Sequence, residues 1–127
     1  MRKNVTSGSP FEDLFGFCRA TRLGDTVSVA GTAPIADDGS TVGVGDPEAQ
    51  ARRCFEIIVR ALAELGAEPK DVVRTRMYLT RMEDWEVVGR VHGEVFGATK
   101  PVSTMVAVAS LIDPDWLVEI EADAVIQ

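Results

Sequence analysis

At 127 residues the chain has room for one domain with one core. Its composition, 46% apolar and 26% charged, is that of a globular fold and excludes disorder. No apolar run approaches the roughly 18 residues of a membrane-spanning helix, so none is expected. The net charge of −7, from 13 basic and 20 acidic side chains, repels a phosphate backbone. The basic residues are interspersed with acids, as at Glu64, Glu68, Lys70 and Asp71. Nucleic-acid binding is therefore not expected.

Met1-Arg2-Lys3-Asn4 is followed by no apolar segment, so no signal peptide is read and the cytoplasm is the expected compartment. In that compartment Cys18 and Cys54 are expected as reduced thiols. With one histidine and two isolated cysteines, no zinc-type ligand spacing exists within the chain.

Residues 1–16, small and polar over the first ten, are expected as a loosely held arm of a single domain. Phe17 to Leu23 and Thr26 to Thr32 read as strands joined at Gly24-Asp25, a two-residue hairpin turn. The glycines and aspartates between Pro34 and Asp46 mark a loop. Asp46 and Pro47 then open a helix as N-cap and first residue. Ala51, Cys54, Phe55, Ile58, Leu62 and Leu65 form its apolar face, Arg52, Glu56, Arg60 and Glu64 its charged one, and Gly66 ends it.

Asp71 to Thr80 alternates as a strand, with Val73, Thr75, Met77 and Leu79 on one side and Arg74, Arg76 and Tyr78 on the other. A second helix is expected from about Glu83 to Phe96, burying Trp85, Val88, Val91 and Val95 and stopped by Gly97 and Pro101. Two more strands, Ser103 to Ala109 and Leu117 to Ile126, flank a turn at Asp113-Pro114-Asp115. The predicted order is ββαβαββ: an α+β fold, one sheet with both helices on one face. On the last strand Val118, Ile120, Ala122 and Ala124 face one side, and Glu119, Glu121 and Asp123 the other. A non-helical face carrying these acids beside Arg74 and Arg76 suits an ion-paired subunit interface. A plainly solvated face is the alternative.

Several segments, in this order, resemble the Rid (RidA/YjgF) family. They are Leu23-Gly24-Asp25-Thr26-Val27-Ser28-Val29-Ala30-Gly31-Thr32, Gln50-Ala51-Arg52, Val72 to Thr80 with the following Asp84-Trp85, and Val118 to Val125. The resemblance implies a chorismate-mutase-like fold with a mixed sheet, a homotrimeric barrel with the helices outside, and ligand clefts between subunits. It also implies hydrolysis of small enamines and imines to keto acids and ammonia, without cofactor or metal. The family's clamp for the substrate carboxylate is an arginine two positions after a proline. Here Pro101-Val102-Ser103 places Ser103 at that position, Met105 stands where a cysteine is usual, and Gly89 where an asparagine is common. A serine hydroxyl cannot replace a charged bidentate guanidinium, which puts the standard deamination in doubt.

By the same resemblance Glu119 matches the carboxylate that positions the attacking water; the other reading is an ion pair with Arg74 or Arg76. Phe17 matches a pocket-wall aromatic. Gly31 and Thr32 close the second strand at the cleft, where the glycine permits close approach or simply marks a bulge. Arg76, then Arg19, are candidate substitute anion anchors, or structural ion pairs. His92 is a possible acid or base, or a packed helix-face side chain. Trp85 is core or cleft wall, and Ser103, Thr104 and Met105 complete the candidate pocket. The expected function is a divergent hydrolase of the deaminase type acting on a small imine, enamine or carbonyl metabolite. The alternative is a non-catalytic metabolite-binding or pathway-accessory protein using the same cleft. The endoribonuclease label sometimes attached to the family is disfavoured by the charge.

Overall fold

The computed structural model describes residues 1–127. Its strands are β1 (Arg2–Val5), β2 (Ala20–Leu23), β3 (Thr26–Thr32), β4 (Val72–Leu79), β5 (Val102–Ala107) and β6 (Val118–Val125). Its helices are α1 (Phe11–Phe15), α2 (Pro47–Glu64) and α3 (Trp85–Phe96). All six strands form one mixed sheet in the order β1-β2-β3-β6-β4-β5. Every pairing is antiparallel except β4 with β5. No helix is long and apolar enough to cross a membrane.

The local signals act as their chemistry dictates. Gly24, with φ of 63°, turns β2 into β3 so that Leu23 pairs with Thr26. Asp46 caps α2 by accepting the Ala49 N–H at 3.1 Å, with Pro47 in the first turn. Cys54, Phe55, Ile58, Ala61 and Leu62 of α2 join Val88, Val91 and Phe96 of α3 in one core with Val27, Val29, Met77, Leu79, Val118, Ile120, Ala122 and Ala124. Both helices thus cover the same face of the sheet. Arg52 ties them together at the surface, pairing with Glu48 at 3.1 Å and with Glu94 of α3 at 2.7 Å. Both cysteines are free thiols, and Cys54 is fully buried.

Three expectations need correction. The N-terminal residues are not a loosely held arm, since β1 pairs with β2 from Arg2–Leu23 to Val5–Ala20 and buries Val5. The Glu12 carboxylate then gathers the Thr6 hydroxyl, the Ser7 N–H and the Ser7 hydroxyl, which holds its pKa below the ordinary range. Val73 does not share the inward side of Thr75, Met77 and Leu79. A register irregularity between Val72 and Arg74 shifts the alternation by one, so Val72 is buried and Val73 is exposed. Trp85 is 53% exposed rather than part of the buried stripe of α3, where Phe96 is buried instead. It is the first residue of that helix, after a 3-10 turn at Met82–Asp84, and projects beyond the packed turns.

Candidate functional site

The alternation of β6 buries Val118, Ile120, Ala122 and Ala124 against the helices and leaves Glu119, Glu121 and Asp123 half-buried on the opposite face. Beside it, β3 carries a bulge: Val29 pairs with Ala122 and Thr32 with Ile120, so Ala30 and Gly31 span one partner position. Glu119 lies over Gly31. A Cβ added there would come within 2.5 Å of the Glu119 Oε2 and 3.2 Å of its Cδ. The missing side chain is therefore what admits the carboxylate. Burial, then the neighbouring charge of Glu121, raises the Glu119 pKa above the usual carboxylate range, while Arg19 pulls it down. A carboxyl so placed exchanges a proton closer to neutrality than a free one.

Arg19 approaches the same bulge. Its Nη1 donates to the Thr32 hydroxyl at 3.3 Å, and that hydroxyl donates to the Ala30 carbonyl at 2.8 Å. Burial lowers the Arg19 pKa from its ordinary value, offset by Glu12, Cys54 and Glu119. The guanidinium remains a cation, its ordinary pKa being so high. Glu119, Gly31, Thr32 and Arg19 thus form one group.

Ser103 belongs to another. β5 runs parallel to β4 with Thr75 opposite Ser103, Arg76 opposite Thr104 and Met77 opposite Met105. Residues paired this way share a face. Ser103 and the partly buried Met105 therefore look toward the helices, and Thr104 looks away with Arg76. The fully buried Thr75 hydroxyl lies 2.8 Å from the Ser103 hydroxyl and 2.8 Å from His92 Nε2. Burial lowers the His92 pKa, and Phe55 and Phe96 pack edge-on and tilted against its ring. Gly89 faces the Met105 methyl; a Cβ there would meet it at 3.9 Å, an ordinary contact.

Arg76 is bound within the non-helical face. Its Nη1 donates to Glu121 at 3.2 Å and to Asp123 at 3.4 Å, and the Tyr78 hydroxyl donates to Glu121 at 2.8 Å. Arg76, Glu121 and Asp123, with Cys18, Arg19 and Ser28, border a recess of about 300 Å³. Its lining includes none of Glu119, Gly31 or Ser103, and its Arg76, Glu121 and Asp123 charges pair among themselves, so the candidate site is centred on Glu119, with Arg19 shared between the two. Phe17 is 49% exposed at the end of the N-terminal segment. No group of three or more His, Cys, Asp or Glu side chains is arranged to hold a metal ion.

Within one chain the site residues fall into two groups: Glu119 with Gly31 and Arg19 at the β3 bulge, where the fully buried Thr32, paired with Ile120, turns inward beneath Arg19, and Ser103 with Met105 and His92 on the helix side. Thr75 joins the second group without having been singled out from sequence. The available signal was a lone hydroxyl among the apolar inward positions of its strand.

Residues 10–126 match the family model described as Endoribonuclease L-PSP. An uncharacterized protein of Streptomyces coelicolor is 43% identical over 96% of this chain and 90% of its own length. The 3-aminoacrylate deaminase RutC of Acinetobacter baylyi is 33% identical over 94% of each chain. The crystal structure of a Mycobacterium tuberculosis member of the YjgF/YER057c/UK114 family superposes with a TM-score of 0.89 at 46% identity, over 99% of this chain and 100% of that one.

Proposed function

This chain belongs to the YjgF/Rid family, whose model carries the Endoribonuclease L-PSP description, and from that premise we propose that it is a hydrolase of the deaminase type acting on a small imine, enamine or related carbonyl compound. The observation that carries the proposal is the Glu119 carboxylate, half-buried over the bare Cα of Gly31 with a raised pKa. Such a group can take a proton from a water attacking an imine carbon and return one to the departing nitrogen. Arg19 beside it supplies a fixed positive charge, and Thr32 orients that guanidinium. No metal or cofactor takes part in this reading.

The sheet separates Glu119 from Ser103, so one chain presents two half-sites. We place the complete cleft between subunits of a homotrimer, with the Glu119 face of one copy opposed to the Ser103 edge of the next. The ion-paired face of Arg76, Glu121 and Asp123 supports a barrel of this kind, because its charges are already satisfied within the chain. The 33% identity to a 3-aminoacrylate deaminase makes three-carbon enamines the substrates to test first.

A second reading rests on Ser103. Its hydroxyl bonds to Thr75 and not to any cation, so the cleft could hold a metabolite without turning it over. The deciding experiment follows ammonia and keto-acid release from freshly generated 2-aminoacrylate and 3-aminoacrylate, in the wild type and in Ser103→Arg. Acceleration by the wild type supports the hydrolase. Acceleration by Ser103→Arg alone means an intact cleft tuned to another ligand. Inertness of both favours the binding protein.

A further inference from the structure

Ser103, Thr75 and His92 form a continuous run of hydrogen-bonding atoms from the open edge of the sheet into the helix layer. Ser103 is exposed on the edge strand β5, Thr75 is fully buried on β4, and His92 is half-buried on α3. Both steps are 2.8 Å. Each hydroxyl carries one hydrogen and a neutral imidazole carries one on nitrogen, so the run has two polarities. In one, His92 Nε2–H donates to Thr75, Thr75 donates to Ser103, and the Ser103 proton points outward to an acceptor. In the other, Ser103 accepts from an outside N–H and donates to Thr75, which donates to the Nε2 lone pair. The two polarities correspond to the Nε2–H and Nδ1–H tautomers of a neutral His92, so switching moves the ring proton from Nε2 to Nδ1 and exchanges donor for acceptor at the surface without changing net charge.

A buried threonine among apolar side chains is costly unless its hydroxyl is satisfied, and a valine would fill the same space without partners. The structure instead places two partners on it, one of them reaching solvent. Burial alone perturbs the His92 imidazole, and no charged group contributes, so the run ends in a neutral base. We infer that the Ser103–Thr75–His92 relay is the recognition end of the cleft and takes an uncharged polar group of a small ligand, an amide, ketone or imine, in preference to a carboxylate. The inference rests on the cleft reading above and narrows its substrate class. A carboxylate placed there would lose hydration and gain one neutral hydrogen bond with no counter-charge. An uncharged carbonyl or N–H loses less and finds the matching polarity waiting.

The test uses two probes of one skeleton, 2-oxopropanamide and pyruvate, titrated into the full-length protein by NMR. His92 is the only histidine, so its ring signals identify themselves. We expect the amide to shift the His92 ring and Ser103 backbone signals and to bind at least about tenfold more tightly than pyruvate. Ser103→Arg should reverse the preference. Thr75→Val should leave Ser103 responding to the amide while His92 falls silent, which a purely structural threonine would not do. If Thr75→Val does not fold, the wild type and Ser103→Arg still decide. Pyruvate binding as tightly as the amide in the wild type overturns the inference, as does the amide leaving both signals unmoved. Turnover plays no part in the readout: a wild type inert toward enamines leaves the relay standing, and an active one that prefers pyruvate refutes it.

Discussion

Gly31→Ala tests directly whether a bare Cα is what seats the Glu119 carboxylate. The added methyl would sit 2.5 Å from Oε2 and 3.2 Å from Cδ, where ordinary contact begins at 3.4 Å. The carboxylate must therefore move by roughly 0.9 Å at its tip, given that packed atoms do not interpenetrate. The backbone is no obstacle, because Gly31 is not among the glycines with positive φ. The obstructing atoms are the far end of a flexible side chain, so the cost is an off-rotamer Glu119, about 0.5–1.5 kcal/mol. For a domain of this size that lowers Tm by about 2–6 °C. A reacting group misplaced by about 1 Å costs on the order of 100-fold in rate. The expected signature is thus a nearly intact melt, a large loss of enamine hydrolysis, and a Glu119 carboxyl that titrates closer to the ordinary value by ¹³C NMR. An unchanged Glu119 titration together with unchanged turnover would refute the seating argument.

The raised pKa of Glu119 has a definite sign in stability. Between the ordinary carboxylate pKa and the raised one, the folded state holds a proton that the unfolded state releases, so stability falls as pH rises through that window and stays low above it. Glu119→Gln removes the penalty: its Tm should exceed that of the wild type at neutral pH, with the gap closing in acid below the ordinary carboxylate range. A gap that widens toward acid would reverse the assignment. Sedimentation equilibrium should show a trimer, and a monomer at micromolar concentration would sink the barrel. Arg76→Ala should cost less than about 1 kcal/mol in unfolding, since exposed pairs contribute little and the three side chains are 28–41% exposed, yet it should weaken the trimer or ligand binding. If both are untouched, Arg76 has no part in the site. The Cys54 thiol, fully buried and with its pKa pushed far up by burial, should resist Ellman's reagent until the chain unfolds; rapid reaction in the native state would contradict the packing.

The elements that were legible from sequence are those whose causes lie within a few residues. Helix α2 follows from the Asp46 cap, Pro47 and a 3.6-residue apolar period; the β2–β3 hairpin from Gly24; the two faces of β6 from strict alternation of valine, isoleucine and alanine with acids. Together these fix an α+β sheet with one apolar and one charged face, and the family motifs follow the same segments. Gly31 could be picked out as a strand-ending glycine, a local mark, whereas Glu119, one of three alternating acids on its strand, was singled out by the family resemblance.

Only the tertiary structure decided how these pieces meet. A register shift of one residue at Val72–Arg74 moved Val73 to the surface, although its side chain is as apolar as its neighbour's. β1 exists because β2 offers an unpaired edge to a segment whose only strong apolar residue is Val5. Trp85 lies outside the core because its helix begins with it, a boundary that periodicity alone does not mark. The parallel pairing of β4 with β5, across a whole intervening helix, brought Ser103 to Thr75 and His92 while turning Thr104 to the opposite face. Sequence determines which side chains alternate and which turns close, since those preferences are set by neighbouring dihedrals and burial. Which strands lie side by side, and in what register, is settled by long-range pairing and packing, and it is that pairing which separates Glu119 from Ser103 by the thickness of the sheet.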